Sequence, residues 1–215
     1  MRDSRPVLLD LDGTLSDNYT GISRSIGYAL ERLGATAADE ATLRACVGPP
    51  LRESFSRLLG STDRMLIERA IAFYRERYAE VGWQENVVYP GIATALAALA
   101  QASPLFLCTA KPIVYARRII ERFGFTGHFV ALYGPDLAGA LDDKAALIAH
   151  LAQEQGIDAG SAVMVGDRAH DVRAARCNGA LAVGVLWGYG SHDELAGADA
   201  LVAHPGDLHA ALASL

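Results

Sequence analysis

The sequence predicts an α/β fold: a Rossmann-like, mostly parallel sheet with helices on both faces, plus an inserted all-helical cap domain. Three observations support this prediction. A short apolar segment near the start reads as a buried strand, and a long block with only helical periodicity follows it. After the turn at Tyr89-Pro90-Gly91, helix and strand patterns alternate to the end of the chain. Repeated αβ units favour an open parallel sheet.

The first strand is predicted at Val7-Leu8-Leu9, which is apolar, lacks a helical period and runs into acidic and glycine residues. A single strand is not stable alone, so it must join the later sheet. The helical block then interrupts the sheet-forming sequence. We predict a core of residues 1–16 and 88–215 and a helical cap of residues 17–87, whose two connections form a hinge.

Helical spacing of apolar residues supports both parts. In the cap, stripes occur at Ile22, Ile26, Leu30 and Leu33, at Leu51, Phe55, Leu58 and Leu59, and from Leu66 to Tyr78. In the core, helices are predicted at 92–102, 112–123, 144–155, 169–177 and from Asp207. Strands are predicted at 105–108, 129–132, 162–165, 181–186 and 200–202. Ligands of such sheets bind beyond the carboxyl ends of the strands.

Composition excludes several classes of function. The net charge is −6, the pI is about 5.5 and the charges are scattered, so no basic stripe indicates a nucleic-acid or anionic-membrane partner. No apolar run approaches the roughly 18 residues that span a bilayer, and the amino-terminal run is too short for a signal peptide. Cys46, Cys108 and Cys177 show no metal-binding spacing, which favours free thiols and a cytoplasmic location.

Two carboxylates follow the first strand in Asp10-Leu11-Asp12-Gly13-Thr14. Acids two residues apart on a turning loop can share one site and do different work. One stays ionised as a nucleophile or metal ligand, and the other holds a proton for a leaving group. Gly13 lets the backbone turn sharply between them and the following segment. The alternative interpretation is an ordinary acidic turn.

The second predicted strand ends in Thr109-Ala110-Lys111-Pro112. A hydroxyl with backbone N–H groups at the start of a helix forms a natural phosphate cradle. Thr109 could equally cap the helix, and Pro112 suits the first helical turn. Lys111 is interpreted as a solvated or rim-lining residue that remains a candidate for substrate contact.

Lys144 opens a predicted helix, where the helix dipole disfavours a cation. Two explanations remain open. Asp142 and Asp143 offset the charge, or the lysine points into the site and holds an anion beside Asp10.

The fourth polar segment is Gly166-Asp167-Arg168-Ala169-His170-Asp171, directly after an apolar strand. Asp167 and Asp171 are four apart, so both can face one point at a loop-to-helix junction. With Asp10 they place three carboxylates around one locus, and Mg²⁺ would resolve their repulsion. The alternative is that the pair caps the helix. His170 is expected to point away from its neighbours and to lie at the surface or behind the ligands, rather than to bind metal or transfer a proton.

These four segments, in this order, resemble the haloacid dehalogenase superfamily, most closely its phosphoglycolate phosphatase group. Asp10-x-Asp12-Gly-Thr is similar to the first family motif, Thr109 to the second, Lys144 to the third and Gly166-Asp167-x-x-x-Asp171 to the fourth. The helical cap after the first motif and the segment Gly48-Pro49-Pro50-Leu51 add to the resemblance. Ala110 replaces a usual polar residue, so only its backbone N–H can bind phosphate.

The resemblance implies a Mg²⁺-dependent phosphatase that acts on a small phosphorylated metabolite. Asp10 would be the nucleophile, Asp12 the general acid and base, and Thr109 and Lys144 would stabilise the phosphoryl group, with Gly13 and Ala110 beside it. Mg²⁺ would be bound by the Asp10 carboxylate, the Asp12 carbonyl and Asp167, with Asp171 acting through water or from outside the ligand set. Such chemistry depends on positioning and electrostatics.

Alternatives remain at this point. A dehalogenase is disfavoured because Asp12 and the Asp167/Asp171 pair are present. A sugar phosphomutase on the same core, a nucleoside 5′-monophosphate phosphatase and a non-enzymatic metal-binding module are the other readings. The organic half of the substrate is expected to meet the cap near Gly48–Arg52, with Arg52 as a candidate for a substrate carboxylate, or the loop at 187–191. The chain is expected to be a monomer or a homodimer.

Overall fold

The structure is a computed structural model that describes residues 5–215. This part of the chain contains eight strands and nine α-helices. The strands are β1 Val7–Leu9, β2 Ser16–Asp17, β3 Val87–Val88, β4 Leu105–Cys108, β5 Ala131–Tyr133, β6 Val163–Gly166, β7 Leu181–Val185 and β8 Ala200–Val202. The helices are α1 Tyr19–Leu33, α2 Glu40–Arg44, α3 Leu51–Leu59, α4 Arg64–Glu80, α5 Ile92–Ala102, α6 Ile113–Arg122, α7 Lys144–Gln155, α8 Ala169–Cys177 and α9 Leu208–Ala213.

Six of the strands in this described part form one sheet, in the order β5-β4-β1-β6-β7-β8. Each neighbouring pair is parallel, with Leu8 opposite Phe106 on one side and Met164 on the other. The first strand therefore lies between β4 and β6. Its carboxyl end is flanked by the carboxyl ends of both neighbours, and this brings distant segments of the chain to one edge.

Both faces of the sheet are buried. Leu8, Phe106 and Met164 lie in register and pack with Leu147 and Ala175 of α7 and α8 in one apolar cluster. Alternate strand residues point to the opposite face. Those residues, which include Leu9, Leu107 and Val165, are fully buried as well. The predicted fold class, a parallel sheet covered on both faces, is confirmed.

The chain divides into two compact units. One comprises the described residues up to Asp17 together with Val88–Leu215, and the other is Asn18–Val87. In the second unit α1 and α4 pack along each other, and α3 packs on α4. Asp39 and Asp63 accept hydrogen bonds from backbone N–H groups at the starts of α2 and α4, which satisfies donors that a helix leaves unpaired. This unit is the helical cap region.

Two details differ from the sequence expectations. The strand expected at 129–132 lies at Ala131–Tyr133, because a 3₁₀ turn at Thr126–His128 delays its start. The block of residues 17–87, expected to be all helical, contains the end of β2 and the start of β3, which pair in a two-stranded sheet. Strands of two residues are too short to show an alternating pattern, so periodicity does not reveal them.

No helix among residues 5–215 combines the length and the apolar character needed to cross a membrane.

Candidate active site

The candidate site lies at the carboxyl end of the central strands, within the unit that contains the sheet. Asp10 follows β1, Thr109 follows β4 and Asp167 follows β6, and these three strands are neighbours. The backbone N–H of Asp10 donates to the Val165 carbonyl at 3.0 Å, which ties the first loop to β6. Parallel strands therefore deliver residues from three parts of the sequence to one place.

Asp10 is a buried carboxylate beside a cation. Its Oδ1 accepts the Leu11 N–H at 2.8 Å, and its Oδ2 lies 2.9 Å from Lys144 Nζ. Burial by itself raises the pKa of Asp10, but the charge of Lys144 and hydrogen bonds from Lys144 and Thr109 outweigh it and hold the pKa below its usual value. An ionised oxygen at this position is a potential nucleophile.

Lys144 is a buried cation that joins two carboxylates. Its ammonium contacts Asp10 and Asp171, and only 6% of the residue is exposed. Burial lowers the pKa of Lys144, but the two carboxylates raise it further, so the amine stays protonated. Asp143 caps α7 by accepting the Ala146 N–H at 2.8 Å. Of the two explanations for a lysine at a helix start, the structure supports the one in which it points into the site.

Asp12 lies in an environment that favours its protonated form more than an exposed aspartate does. Burial raises the pKa of Asp12, and Lys111, the next largest influence, lowers it without reversing the shift. Lys111 Nζ lies 2.5 Å from Asp12 Oδ2, and the lysine is only 8% exposed. Of the two expectations for Lys111, solvated or rim-lining, the solvated one is wrong, because the side chain is buried against Asp12.

Asp167 is held by a loop and two glycines. Its Oδ2 accepts the Tyr189 N–H at 2.8 Å, and its Oδ1 is buried without a partner. A Cβ on Gly13, whose φ is +81°, would lie 2.2 Å from Asp167 Oδ2, and one on Gly188 would lie 2.4 Å from Asp167 Cβ. Burial, followed by the charges of Asp171 and Asp10, raises the pKa of Asp167 to about 8.

Asp171 serves its own helix and the site at once. Its Oδ2 accepts the Arg168 N–H at 3.0 Å at the start of α8, while its Oδ1 contacts Lys144. The helix-cap interpretation therefore holds for Oδ2, while Oδ1 lies beside Lys144 and metal binding by Asp171 stays a prediction. His170 Nε2 lies 3.6 Å from Asp171 Oδ1, so the expectation that His170 points away from its neighbours is wrong. Burial lowers the pKa of His170 and favours the neutral imidazole.

Thr109 is buried and turned toward Asp10. Its Oγ1 accepts the Lys111 N–H at 3.2 Å, and its hydroxyl is hydrogen-bonded to Asp10. Helix α6 begins after Pro112 and has no side-chain cap, so Thr109 is not the cap of this helix. Ala110 is exposed beside it.

The acidic cluster suits a hard divalent cation. Ligand atoms of Asp10, His170 and Asp171 lie within 4.8 Å of one another, but the Lys144 ammonium already contacts both of these carboxylates. Asp167 Oδ1, in contrast, is buried and has no hydrogen-bond partner. A buried anionic oxygen without a partner is costly. Carboxylate oxygens are the donors that Mg²⁺ prefers, so the residues present fit such an ion on the Asp167 side of Asp10.

The cap candidates belong to the other unit. Gly48 is exposed with a φ of +102°, a left-handed conformation that favours glycine. The guanidinium of Arg52 binds the Glu68 carboxylate, and its side chain is 65% exposed. Its partner in the structure is therefore an acid of its own unit.

Sequence reasoning missed the support that the loop after β7 gives to the site. Besides the Tyr189 N–H on Asp167, the Tyr189 hydroxyl donates to Asp17 Oδ1 at 2.6 Å, and Trp187 Nε1 donates to the Thr14 carbonyl at 3.0 Å. The available signal was the alternation of aromatic residues with glycines at Gly188 and Gly190 directly after a strand. On the sequence alone, this loop is expected to meet only the organic half of a substrate.

Comparison with known proteins assigns the chain to a family of hydrolases, and its relatives include phosphatases. The family model described as haloacid dehalogenase-like hydrolase matches residues 7–185, and the chain belongs to this family. A 5′-nucleotidase of Pseudomonas aeruginosa is 43% identical over 190 residues, which cover 88% of this chain and 86% of the relative. A phosphoglycolate phosphatase of Chromobacterium violaceum is 32% identical over 208 residues, covering 94% and 93%.

A crystal structure of a predicted phosphatase from Clostridium acetobutylicum has the same fold, with a TM-score of 0.92, 36% identity and 99% coverage of each chain. The expected family and enzyme class are confirmed: the chain is a phosphatase of the haloacid dehalogenase-like hydrolases.

Proposed function

We propose that the protein is a Mg²⁺-dependent phosphomonoester hydrolase that forms an aspartyl-phosphate on Asp10. The observation that carries this proposal is the convergence of Asp10, Asp12 and Asp167 at the carboxyl ends of adjacent strands, with Lys144 in contact with Asp10 and Lys111 in contact with Asp12. The directions in which the pKa values of the two acids shift agree with it. The pKa of Asp10 is lowered beside Lys144, and the pKa of Asp12 is raised by burial. Two acids whose environments push their pKa values apart have the properties of a nucleophile and a proton donor.

In the first step an Asp10 carboxylate oxygen attacks phosphorus and the bond to the leaving oxygen breaks. Asp12 gives its proton to that oxygen, so the product leaves as a neutral alcohol. Lys144 and Thr109 lie beside Asp10, where they can stabilise the charge of the transferring phosphoryl group.

In the second step a water molecule attacks phosphorus of the aspartyl-phosphate. Asp12, now ionised, takes a proton from this water, and phosphate leaves as the Asp10 carboxylate is restored. The two residues thus return to their starting protonation states after one turnover.

The Asp10 carboxylate, the Asp12 backbone carbonyl and Asp167 would hold the divalent ion. When bound, the ion offsets the repulsion among these carboxylates and the substrate phosphoryl group. Both oxygens of Asp171 have protein partners, Lys144 and the Arg168 N–H, so we assign Asp171 the task of orienting Lys144.

Without metal, Asp167 should make the protein less stable as the pH rises. Its pKa is about 8 in the folded protein against an ordinary value of 3.8, so between these values the folded state holds a proton that the unfolded state has released. This stabilisation is fully present below the unfolded value and is lost as the pH rises through the folded value. Equilibrium unfolding in EDTA across this range measures the effect.

Asp167→Asn is the matched control, because an amide does not titrate. The variant should lack the part of the pH dependence that Asp167 contributes. Added Mg²⁺ should stabilise the wild-type protein more at the upper end of the range, where no proton has to be displaced. Equal pH slopes in both proteins would contradict the assignment.

For the substrate we propose a nucleoside 5′-monophosphate. The support is the 43% identity to the nucleotidase, which extends over most of both chains. Phosphoglycolate, which the sequence resemblance implied, is the second candidate and is supported by the relative with 32% identity. The core handles only the phosphoryl group, so this choice depends on residues that contact the rest of the substrate.

A kinetic screen over nucleotides, sugar phosphates and phosphoglycolate tests the substrate, with kcat/KM as the measure of discrimination. We expect a nucleoside 5′-monophosphate to exceed phosphoglycolate by about tenfold or more, equal to about 1.4 kcal/mol. The reverse ranking would overturn the nucleotide proposal. Conversion of a sugar phosphate to its isomer without release of inorganic phosphate would indicate a mutase instead.

A further inference from the structure

The chain contains only two lysines, Lys111 and Lys144, against seventeen arginines. Both lysines are buried, and each pairs with one of the two acids of the first loop, Lys144 with Asp10 and Lys111 with Asp12. Every other basic position in the sequence, histidine aside, uses arginine. A lysine presents its charge as a compact ammonium on a flexible four-carbon stem. Its burial and its contact with Asp12 place Lys111 at the candidate site.

The backbone that carries Lys111 is fixed on both sides. Its N–H donates to Thr109 Oγ1 at 3.2 Å, and the Ile113 N–H donates to the Pro135 carbonyl at 2.8 Å. A Cβ on Gly134 would lie 2.6 Å from the Lys111 carbonyl oxygen, so the chain after β5 packs directly against this residue. The backbone position of Lys111, from which its side chain reaches Asp12, is therefore fixed.

The contact with Lys111 gives the two carboxyl oxygens of Asp12 different environments. Oδ2 lies 2.5 Å from Lys111 Nζ, while Oδ1 is buried and has no hydrogen-bond partner in the structure. A carboxylate held by one oxygen keeps a defined orientation about its last bond. Because Lys111 holds Oδ2, the orientation of the whole Asp12 carboxyl group depends on this contact.

We propose that Lys111 is a positioning residue that holds the Asp12 carboxyl group through Oδ2, in the orientation from which Asp12 gives its proton to the leaving-group oxygen of the substrate. The inference rests on the proposed function, since it takes Asp12 as the proton donor. Lys111 acts through Asp12, and its importance depends on how much the leaving group needs a proton.

Two esters of similar size separate this role from a structural one. p-Nitrophenolate departs without a proton, whereas the alkoxide of p-nitrobenzyl phosphate requires one. We expect Lys111→Met to lower kcat/KM about 100-fold for p-nitrobenzyl phosphate and less than about tenfold for p-nitrophenyl phosphate, since general acid catalysis contributes about 10²–10⁴-fold. Equal losses for the two esters would overturn the proposal.

A double-mutant cycle gives the second readout. In an Asp12→Asn background, Lys111→Met should change kcat/KM for p-nitrobenzyl phosphate by less than about threefold, because the group it positions is already gone. If Lys111→Met lowers kcat/KM as much in this background as in the wild-type protein, Lys111 acts directly on the substrate and the proposal is overturned. Asp12→Asn also removes the base for hydrolysis of the aspartyl-phosphate. That later step does not contribute to kcat/KM, so it does not affect the comparison.

Circular dichroism and thermal unfolding establish that each variant is folded, and Lys111→Gln replaces the methionine variant if that protein is not. Failure of the proposed function looks different from failure of this inference. If the wild-type protein releases no phosphate, or if Asp10→Asn retains full activity, the function itself is wrong. If both behave as proposed and the ester dependence is absent, only the role of Lys111 is wrong.

Discussion

Asp10→Asn is expected to lower kcat for phosphate release by about 10⁴-fold or more, on the scale of losses seen when a covalent nucleophile is removed. The amide keeps the shape of the side chain but lacks the ionised oxygen that Lys144 holds at 2.9 Å. Without that oxygen no aspartyl-phosphate forms, and only slow attack by water remains. Initial rates with p-nitrophenyl phosphate and Mg²⁺ measure the effect.

Asp207→Asn is the matched control for this substitution. Asp207 is exposed, and its side chain makes no capping hydrogen bond to helix α9. The control should keep the wild-type rate within about twofold, as expected of a surface change outside the site. Comparable rates in Asp10→Asn and the control would exclude Asp10 as the nucleophile.

Lys144→Met is expected to destabilise the metal-free protein by about 3–5 kcal/mol, the range found when one partner of a buried ion pair is removed. The substitution leaves Asp10 and Asp171 as neighbouring buried carboxylates without the ammonium that contacts both. Denaturant unfolding in EDTA measures the loss. Arg176→Met, which breaks a partly exposed pair with Asp199, should cost no more than about 1 kcal/mol.

The double variant Lys144→Met/Asp171→Asn separates charge from packing. Removing one of the two repelling carboxylates should restore part of the lost stability, so the two substitutions are non-additive. Stability should recover without activity, because Lys144 also serves the phosphoryl group. If the double variant is as unstable as the sum of the single changes, repulsion between the acids is not the cause.

Much of the fold could be predicted because apolar periodicity and strand-end polarity are local signals. Helix α7 and helix α8 begin and end where their patterns predicted, and Asp10 and Asp167 follow adjacent strands as expected for a parallel sheet. What the sequence could not show were partners distant along the chain. The Lys111 contact with Asp12 exists only because β1 and β4 are neighbours, and nothing local marks that lysine as buried.

The support of Asp167 by Tyr189 escaped prediction for a different reason. The hydrogen bond comes from a backbone N–H, which every residue but proline possesses, so the identity of the side chain carries no signal. His170 was misjudged because its direction depends on how α8 starts. There the Arg168 N–H binds Asp171, and the histidine lies beside that same carboxylate.

Direct detection of the covalent intermediate is the most direct test of this account. A reaction with substrate and Mg²⁺ would be quenched in acid during the steady state, digested and examined by mass spectrometry. The account predicts a phosphoryl group on the peptide that contains Asp10, and none in Asp10→Asn. Rapid turnover with no phosphorylated peptide, or with the phosphoryl group on another residue, would contradict it.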